Sequence, residues 1–145
     1  MSTVREILAR KGPQVFTIGK GATVLEAALL MNEHKIGSLV VLEDGRVAGM
    51  FTERDVLRRV VGEEREPART LVADVMTTEV ACCTPETTID EARGAMKNRR
   101  IRHLPLVDDD HYLKGLISIG DLNAYEASNQ EQTIYLLQEY IQGHV

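Results

Sequence analysis

Tryptophan is absent, and aromatic residues make up only 4% of the 145-residue chain. That scarcity argues against an aromatic platform for stacking single-stranded nucleic acid. The formal net charge of −5 argues against electrostatic capture of nucleic acid, which calls for a basic surface. No apolar run approaches the roughly 18–20 residues that a bilayer span requires, so no membrane association is expected. Arg5, Glu6, Arg10 and Lys11 break up the first eleven residues, which do not read as a signal peptide. Cysteine is limited to the adjacent pair Cys82 and Cys83. Such a pair is no disulfide framework, and a reducing cytoplasm is the natural setting. The pair reads as two buried strand residues in preference to a redox or metal site.

Catalytic signatures are missing too. The chain has no phosphate-binding Gly-x-x-x-x-Gly-Lys-[Ser/Thr] loop, no Gly-x-Gly-x-x-Gly fingerprint, no His-Glu-x-x-His and no Cys-x-x-Cys. His34, His103, His111 and His144 are scattered without metal-ligand spacing, so no metal is expected. Nothing supplies a nucleophile with an attendant base, and the chain is not expected to be an enzyme.

What the chain does contain is an internal repeat. Val24, Ala27, Ala28 and Met31 fall at helical spacing, with Thr23 as N-cap and Glu26 at the capping-box position. Ser38–Leu42 then reads as a buried strand, Glu43-Asp44-Gly45-Arg46 as a hairpin turn, and Val47–Phe51 as the returning strand. A helix over 53–61 follows. The same order recurs: a strand over 80–83, a helix over 88–98, a strand over 103–107, a turn over 108–111, a strand over 112–117 and a helix from Ile119. Thr23 and Thr88 are 65 positions apart (88 − 23), as are Glu26 and Glu91, Ala27 and Ala92, and Met31 and Met96. The offset becomes 66 at Gly49 and Gly115 (115 − 49), which assigns one extra residue to the second turn.

The fold class predicted is thus α/β (α+β), built from two pseudo-symmetric β-α-β-β-α repeats. The first spans 3–62, a linker rich in charge spans 63–70, and the second spans 71–127. Short lead-in helices, Val4–Arg10 and Val72–Met76, precede each repeat's first strand. A further amphipathic helix over 130–142 carries Ile134, Leu137, Tyr140 and Ile141 on one face.

Each repeat also holds one copy of a short motif. The first is Gly49-Met50-Phe51-Thr52-Glu53-Arg54-Asp55, and the second is Gly115-Leu116-Ile117-Ser118-Ile119-Gly120-Asp121. A strand here runs into a helix N-terminus, where backbone N–H groups attract anions and a carboxylate can bind sugar hydroxyls. The same Thr/Ser-x-x-Asp spacing is equally a capping box that satisfies the helix's own N–H groups. Spacing alone favours the cap.

These motifs, together with Arg102-His103-Leu104-Pro105-Leu106 and the Thr/Glu/Ala/Met helices, resemble the CBS (cystathionine β-synthase) domain family. The resemblance covers roughly residues 3–125, and small bacterial proteins made only of such a tandem pair look similar. It implies one pseudo-twofold module with two clefts for adenine-containing ligands, and it turns the motif toward ribose binding by Thr52 and Asp55 and by Ser118 and Asp121. In the family each cleft is expected to combine the aspartate of one repeat with strand residues of the other. Asp55, Thr52 and Arg54 would then meet Arg102 and His103 around phosphate, with His103 favoured in its protonated form. Asp121 and Ser118 would meet Thr17, Gly37, Ser38 and Lys20 in a less cationic cleft. Adenine would lie against Val15, Thr17 and Ile18 in one cleft and Val80, Cys82, Cys83 and Thr84 in the other, with Pro105 also in the cleft wall.

The function so implied is a regulatory, energy-sensing module that binds AMP, ADP or ATP, with NAD in one cleft as a further possibility, at two unequal sites. The alternatives are a ligand-free dimerisation or partner-interaction module and an S-adenosylmethionine binder. A homodimer formed through the helices is expected, with a regulated partner protein that the sequence does not identify.

Overall fold

The computed structural model describes residues 2–129, so the amphipathic helix expected over 130–142 lies outside the described residues. Helix α1 (Val4–Lys11) opens the chain. Strand β1 (Thr17–Gly19), helix α2 (Val24–His34), and strands β2 (Ser38–Glu43) and β3 (Arg46–Thr52) follow. Helix α3 (Glu53–Asp55) continues as π-helical turns over Val56–Val61, where the Gly62 N–H reaches back five residues to the Leu57 carbonyl. The linker holds a single 3-10 turn, Pro67–Arg69. Helices α4 (Val72–Val75) and α5 (Ile89–Arg99), strands β4 (His103–Val107) and β5 (Leu113–Ser118), and helical residues 119–129 (α6) complete the second half.

The caps form where the sequence puts them. Thr23 Oγ1 accepts the Glu26 N–H at 3.1 Å, and Thr88 with Glu91 makes a reciprocal capping box. Asp44 and Gly45 both have positive φ, the conformation that a two-residue hairpin loop needs.

Strand β1 pairs parallel with β2, and β2 pairs antiparallel with β3. The second half repeats the antiparallel pair β4–β5, with a register shift at the equivalent place. Its first strand, expected over Val80–Cys83, shrinks to a one-residue bridge between Cys83 and Leu106. The Cys83 N–H bonds the Pro105 carbonyl, and the Val107 N–H bonds the Cys83 carbonyl, both at 2.9 Å. The next rung toward Ala81 needs an N–H from residue 105, which is proline. The corresponding rung in the first half does exist, from the Val40 N–H to the Phe16 carbonyl.

The lead-in helices are exchanged between the halves. Val4 donates its N–H to the Thr87 carbonyl, and Ile89 donates to the Ser2 carbonyl, which ties α1 to the second repeat. Val72 donates to the Ala22 carbonyl and Val24 to the Thr70 carbonyl, which ties α4 to the first. The cores follow this exchange. Val4 and Ile7 pack with Met96, Leu104, Leu106 and Ile117, whereas Val72 and Val75 pack with Val24, Leu39, Val41 and Phe51. Val40, Val47, Met50 and Val107 form a third cluster where the two sheets meet. The motif glycines permit this arrangement. A Cβ at Gly49 would lie 2.7 Å from Met76 Sδ and from the Thr77 carbonyl, and one at Gly115 would lie 2.7 Å from Leu8 Cδ1.

Candidate functional site

At the end of β3, Thr52 Oγ1 accepts the Asp55 N–H at 3.3 Å. Asp55 Oδ2 accepts the Thr52 N–H at 3.0 Å and the Thr52 hydroxyl at 3.2 Å. Its Oδ1 accepts the Thr77 hydroxyl at 3.2 Å and lies 3.8 Å from Arg59 Nε. The Asp55 side chain is only 7% exposed, so both oxygens are committed to groups of the protein. Thr77 arrives through a backbone bridge with Met50, in which each N–H donates to the other's carbonyl at 2.9 Å.

The second motif is capped in the same way but differently furnished. Ser118 Oγ accepts the Asp121 N–H at 3.0 Å, and Asp121 Oδ2 accepts the Ser118 N–H at 2.8 Å. Among the described residues no threonine takes the part of Thr77. Instead Lys11, in the last turn of α1, reaches Asp121 Oδ2 at 2.6 Å and the Leu116 carbonyl at 2.8 Å. Both bonds to the carboxylate fall on Oδ2, and the Asp121 side chain is 23% exposed. Burial pushes the Asp121 carboxyl up, but the hydrogen bond and charge of Lys11 and the bonds from Ser118 outweigh it, and the net pKa is lowered. A concavity of about 200 Å³ opens beside it, walled by Ile7, Arg10, Lys11, Ala124 and Tyr125.

The strands group the remaining residues differently from the expected cross-pairing. His103 is the register partner of Ser118, and the Ile119 N–H bonds the Arg102 carbonyl at 2.8 Å. Ser38 is the register partner of Thr52, and the Glu53 N–H bonds the Gly37 carbonyl at 2.9 Å. Each aspartate therefore sits beside the strand start of its own repeat, because an antiparallel hairpin brings its two ends together. Along the register Arg102 and His103 adjoin the Ser118–Asp121 motif, and Gly37 and Ser38 adjoin the Thr52–Asp55 motif. The Glu53 carboxylate lies over Gly37, where an added Cβ would meet Glu53 Oε1 at 2.9 Å. Arg54 is exposed and makes no hydrogen bond or ion pair among the described residues.

The His103 imidazole is shifted by its surroundings. Burial, then the charge of Lys11, push its pKa below the usual imidazole value, with Asp121 opposing and Arg102 adding to the depression. Lys20 pairs with Glu43 at 2.6 Å, at the far end of β2 from Ser38. At about 3.3 Å per strand residue, that end is on the order of 15 Å from Thr52. Val15, Val80 and Cys82 are half-buried against the cluster where the sheets meet, while Thr17 and Ile18 lie on β1. The Cys83 main-chain groups are consumed by Pro105 and Val107, and the Thr84 N–H is taken by Thr87 Oγ1 at 3.0 Å. Burial and the neighbouring Cys82 push the Cys83 thiol up to about 12. Among the described residues no cluster of His, Cys, Asp or Glu could hold a metal, and no helix is long and apolar enough to cross a membrane.

Lys11, Thr77 and Glu53 were not among the expected site residues. A signal for Lys11 does exist in the sequence. The lead-in segments align at an offset of 68 (72 − 4), but the strands after them align at 65 (80 − 15). Three extra residues, nearly a helical turn, thus lie between Leu8 and Val15.

Comparison with known proteins gives a consistent answer. A family model described as CBS domain matches residues 4–62 and again residues 72–128. The CBS domain-containing protein YhcV of Bacillus subtilis is 35% identical over 130 residues, 90% of this chain and 89% of that one. A solved CBS-domain protein from Burkholderia ambifaria superposes with a TM-score of 0.83 at 40% identity, covering 89% of this chain and 96% of the other. The CBS domain pair of protein MJ0100, solved with 5′-methylthioadenosine and S-adenosyl-L-methionine, shares the fold at 20% identity, with a TM-score of 0.77 over 89% of this chain and 98% of that one.

Proposed function

This chain belongs to the CBS domain family as a tandem pair, and from that premise we propose that it is a non-catalytic sensor of adenosine nucleotides with two unequal sites. The observation that carries the reading is Asp121. It is a capping carboxylate that keeps a partly exposed edge beside a concavity, with Lys11 bonded to it and Arg102 and His103 at the adjoining strand start. One carboxylate can accept both hydroxyls of a ribose, and the cations suit an attached phosphate. AMP, ADP and ATP are the favoured ligands at this site. NAD and S-adenosylmethionine share the adenosine group, and MJ0100 offers a fold-level precedent for the second.

A different observation favours a quieter role for Asp55. Both of its oxygens serve the protein, and Glu53 adds a negative charge where phosphate would lie. This site suits an uncharged adenosine group, and in its absence Asp55 acts as a cap.

The module works by population shift. A ligand that holds one arrangement of the exchanged repeats more tightly favours it by its differential affinity. A second copy of the chain is the proposed reader, docked on the exposed apolar residues Leu25 and Leu29 of α2 and Leu57 and Val61 of the π turns. The equivalent positions in the second repeat are polar or small: Asp90, Gly94, Asn123 and Ala127. Two free thiols suit a reducing cytoplasm as the working compartment. Thermal shift with AMP, ADP, ATP, NAD and S-adenosylmethionine tests the reading. A ligand near 100 times its Kd adds about 2.7 kcal/mol of stability, and no change with any of the five contradicts it.

A further inference from the structure

The two aspartates are satisfied by different devices. In the first repeat the Met50 carbonyl receives the Thr77 N–H, and Asp55 receives the Thr77 hydroxyl. In the second, the equivalent Leu116 carbonyl and Asp121 both receive the Lys11 ammonium. Thr77 is held by its own backbone, in a bridge that a ligand cannot displace without breaking the fold. Lys11 is held only by its side-chain tip, on a flexible four-carbon stem at the end of a helix. Its side chain is 31% exposed.

We propose that Lys11 is the selectivity residue of the Asp121 site, an internal counter-ion that releases the carboxylate only to a ligand bringing an anionic group of its own. This deepens the proposed nucleotide reading and rests on it.

The argument is one of charge pairing. A neutral nucleoside that takes Asp121 leaves a half-buried ammonium without its anion, and an unpaired charge in such a setting is unfavourable. A phosphorylated nucleoside takes the carboxylate with its ribose and offers the ammonium a phosphate oxygen in exchange. The pairing is then conserved, and Arg102 and His103 stand at the strand start that adjoins Ser118. Discrimination thus comes from a penalty on the wrong ligand as much as from attraction to the right one. The first repeat lacks the device because α4 ends at Val75, without the extra turn that carries Arg10 and Lys11 in α1.

Isothermal titration of the full chain with AMP and with adenosine tests this, using wild type, Lys11→Met and Lys11→Arg. Wild type should prefer AMP. In Lys11→Met the affinity for AMP should fall about tenfold or more, while that for adenosine should hold or rise. Lys11→Arg should keep the preference, which excludes a loss of fold as the cause. Equal changes for both ligands in Lys11→Met, or an unchanged preference, would overturn the role of Lys11 and leave the nucleotide reading standing. Binding of neither probe by wild type would overturn both.

Discussion

Lys11 and Asp121 stand 110 residues apart in sequence and are joined by a 2.6 Å charged hydrogen bond across the exchanged repeats. The contact exists because α1 crosses to the second repeat, where its last turn ends over the strand-to-helix junction of β5 and α6. It makes the second site respond to acid. The folded Asp121 has a lowered pKa, so its contribution to stability is present above the unfolded carboxylate pKa and is lost as pH falls through the folded one. Melting temperatures of wild type and Lys11→Met, followed from neutral pH downward, should differ most near pH 7 and converge below the carboxylate range. For a partly exposed pair the difference at pH 7 is on the order of 1 kcal/mol or less. A gap that widens in acid contradicts this account of Asp121.

Asp55 should matter more for folding than Asp121. Its side chain is nearly buried, and its removal strands the Thr52 N–H and the Thr77 hydroxyl together. Urea unfolding of Asp55→Ala should show a loss of about 2–3 kcal/mol, against about 1 kcal/mol for Asp121→Ala. Equal losses would mean that the two carboxylates are not differently employed.

The apolar face of the first repeat predicts its own disruption. Leu57 is 65% exposed and Leu29 is 59% exposed, and a charge at either should be incompatible with a dry interface. In sedimentation experiments the wild type should run as a dimer, and Leu57→Asp should run as a monomer with unchanged secondary structure. A dimer that survives both Leu29→Asp and Leu57→Asp places the interface elsewhere.

The thiols should be quiet. With a pKa near 12, Cys83 is almost wholly protonated at pH 8, and burial also raises the pKa of Cys82. A Cys82→Ser variant should react with a thiol reagent only on unfolding. Prompt labelling of the folded variant would contradict the burial of Cys83 in the core of the second repeat.

Much of this architecture was legible in the chain. The duplicated capping signals at Thr23 and Thr88, the Asp44-Gly45 turn and the paired glycine motifs are local features, and local chemistry decides them. The exchange of lead-in helices was not legible, because Val4–Leu8 and Val72–Met76 are short apolar segments that would fit either core. The adjacency of Arg102 and His103 to Asp121 depends on strand register, which the residue pattern alone does not reveal. The loss of the strand before Cys83 follows from Pro105, whose missing N–H faces a partner that sequence order does not name. Lys11 was legible only as a three-residue surplus, and that surplus acquires meaning once α1 is known to cross over.

The most direct test is AMP titration of Asp121→Asn and Asp55→Asn beside wild type. The account predicts that Asp121→Asn abolishes AMP binding while Asp55→Asn keeps it. Binding that survives in Asp121→Asn and disappears in Asp55→Asn would contradict it.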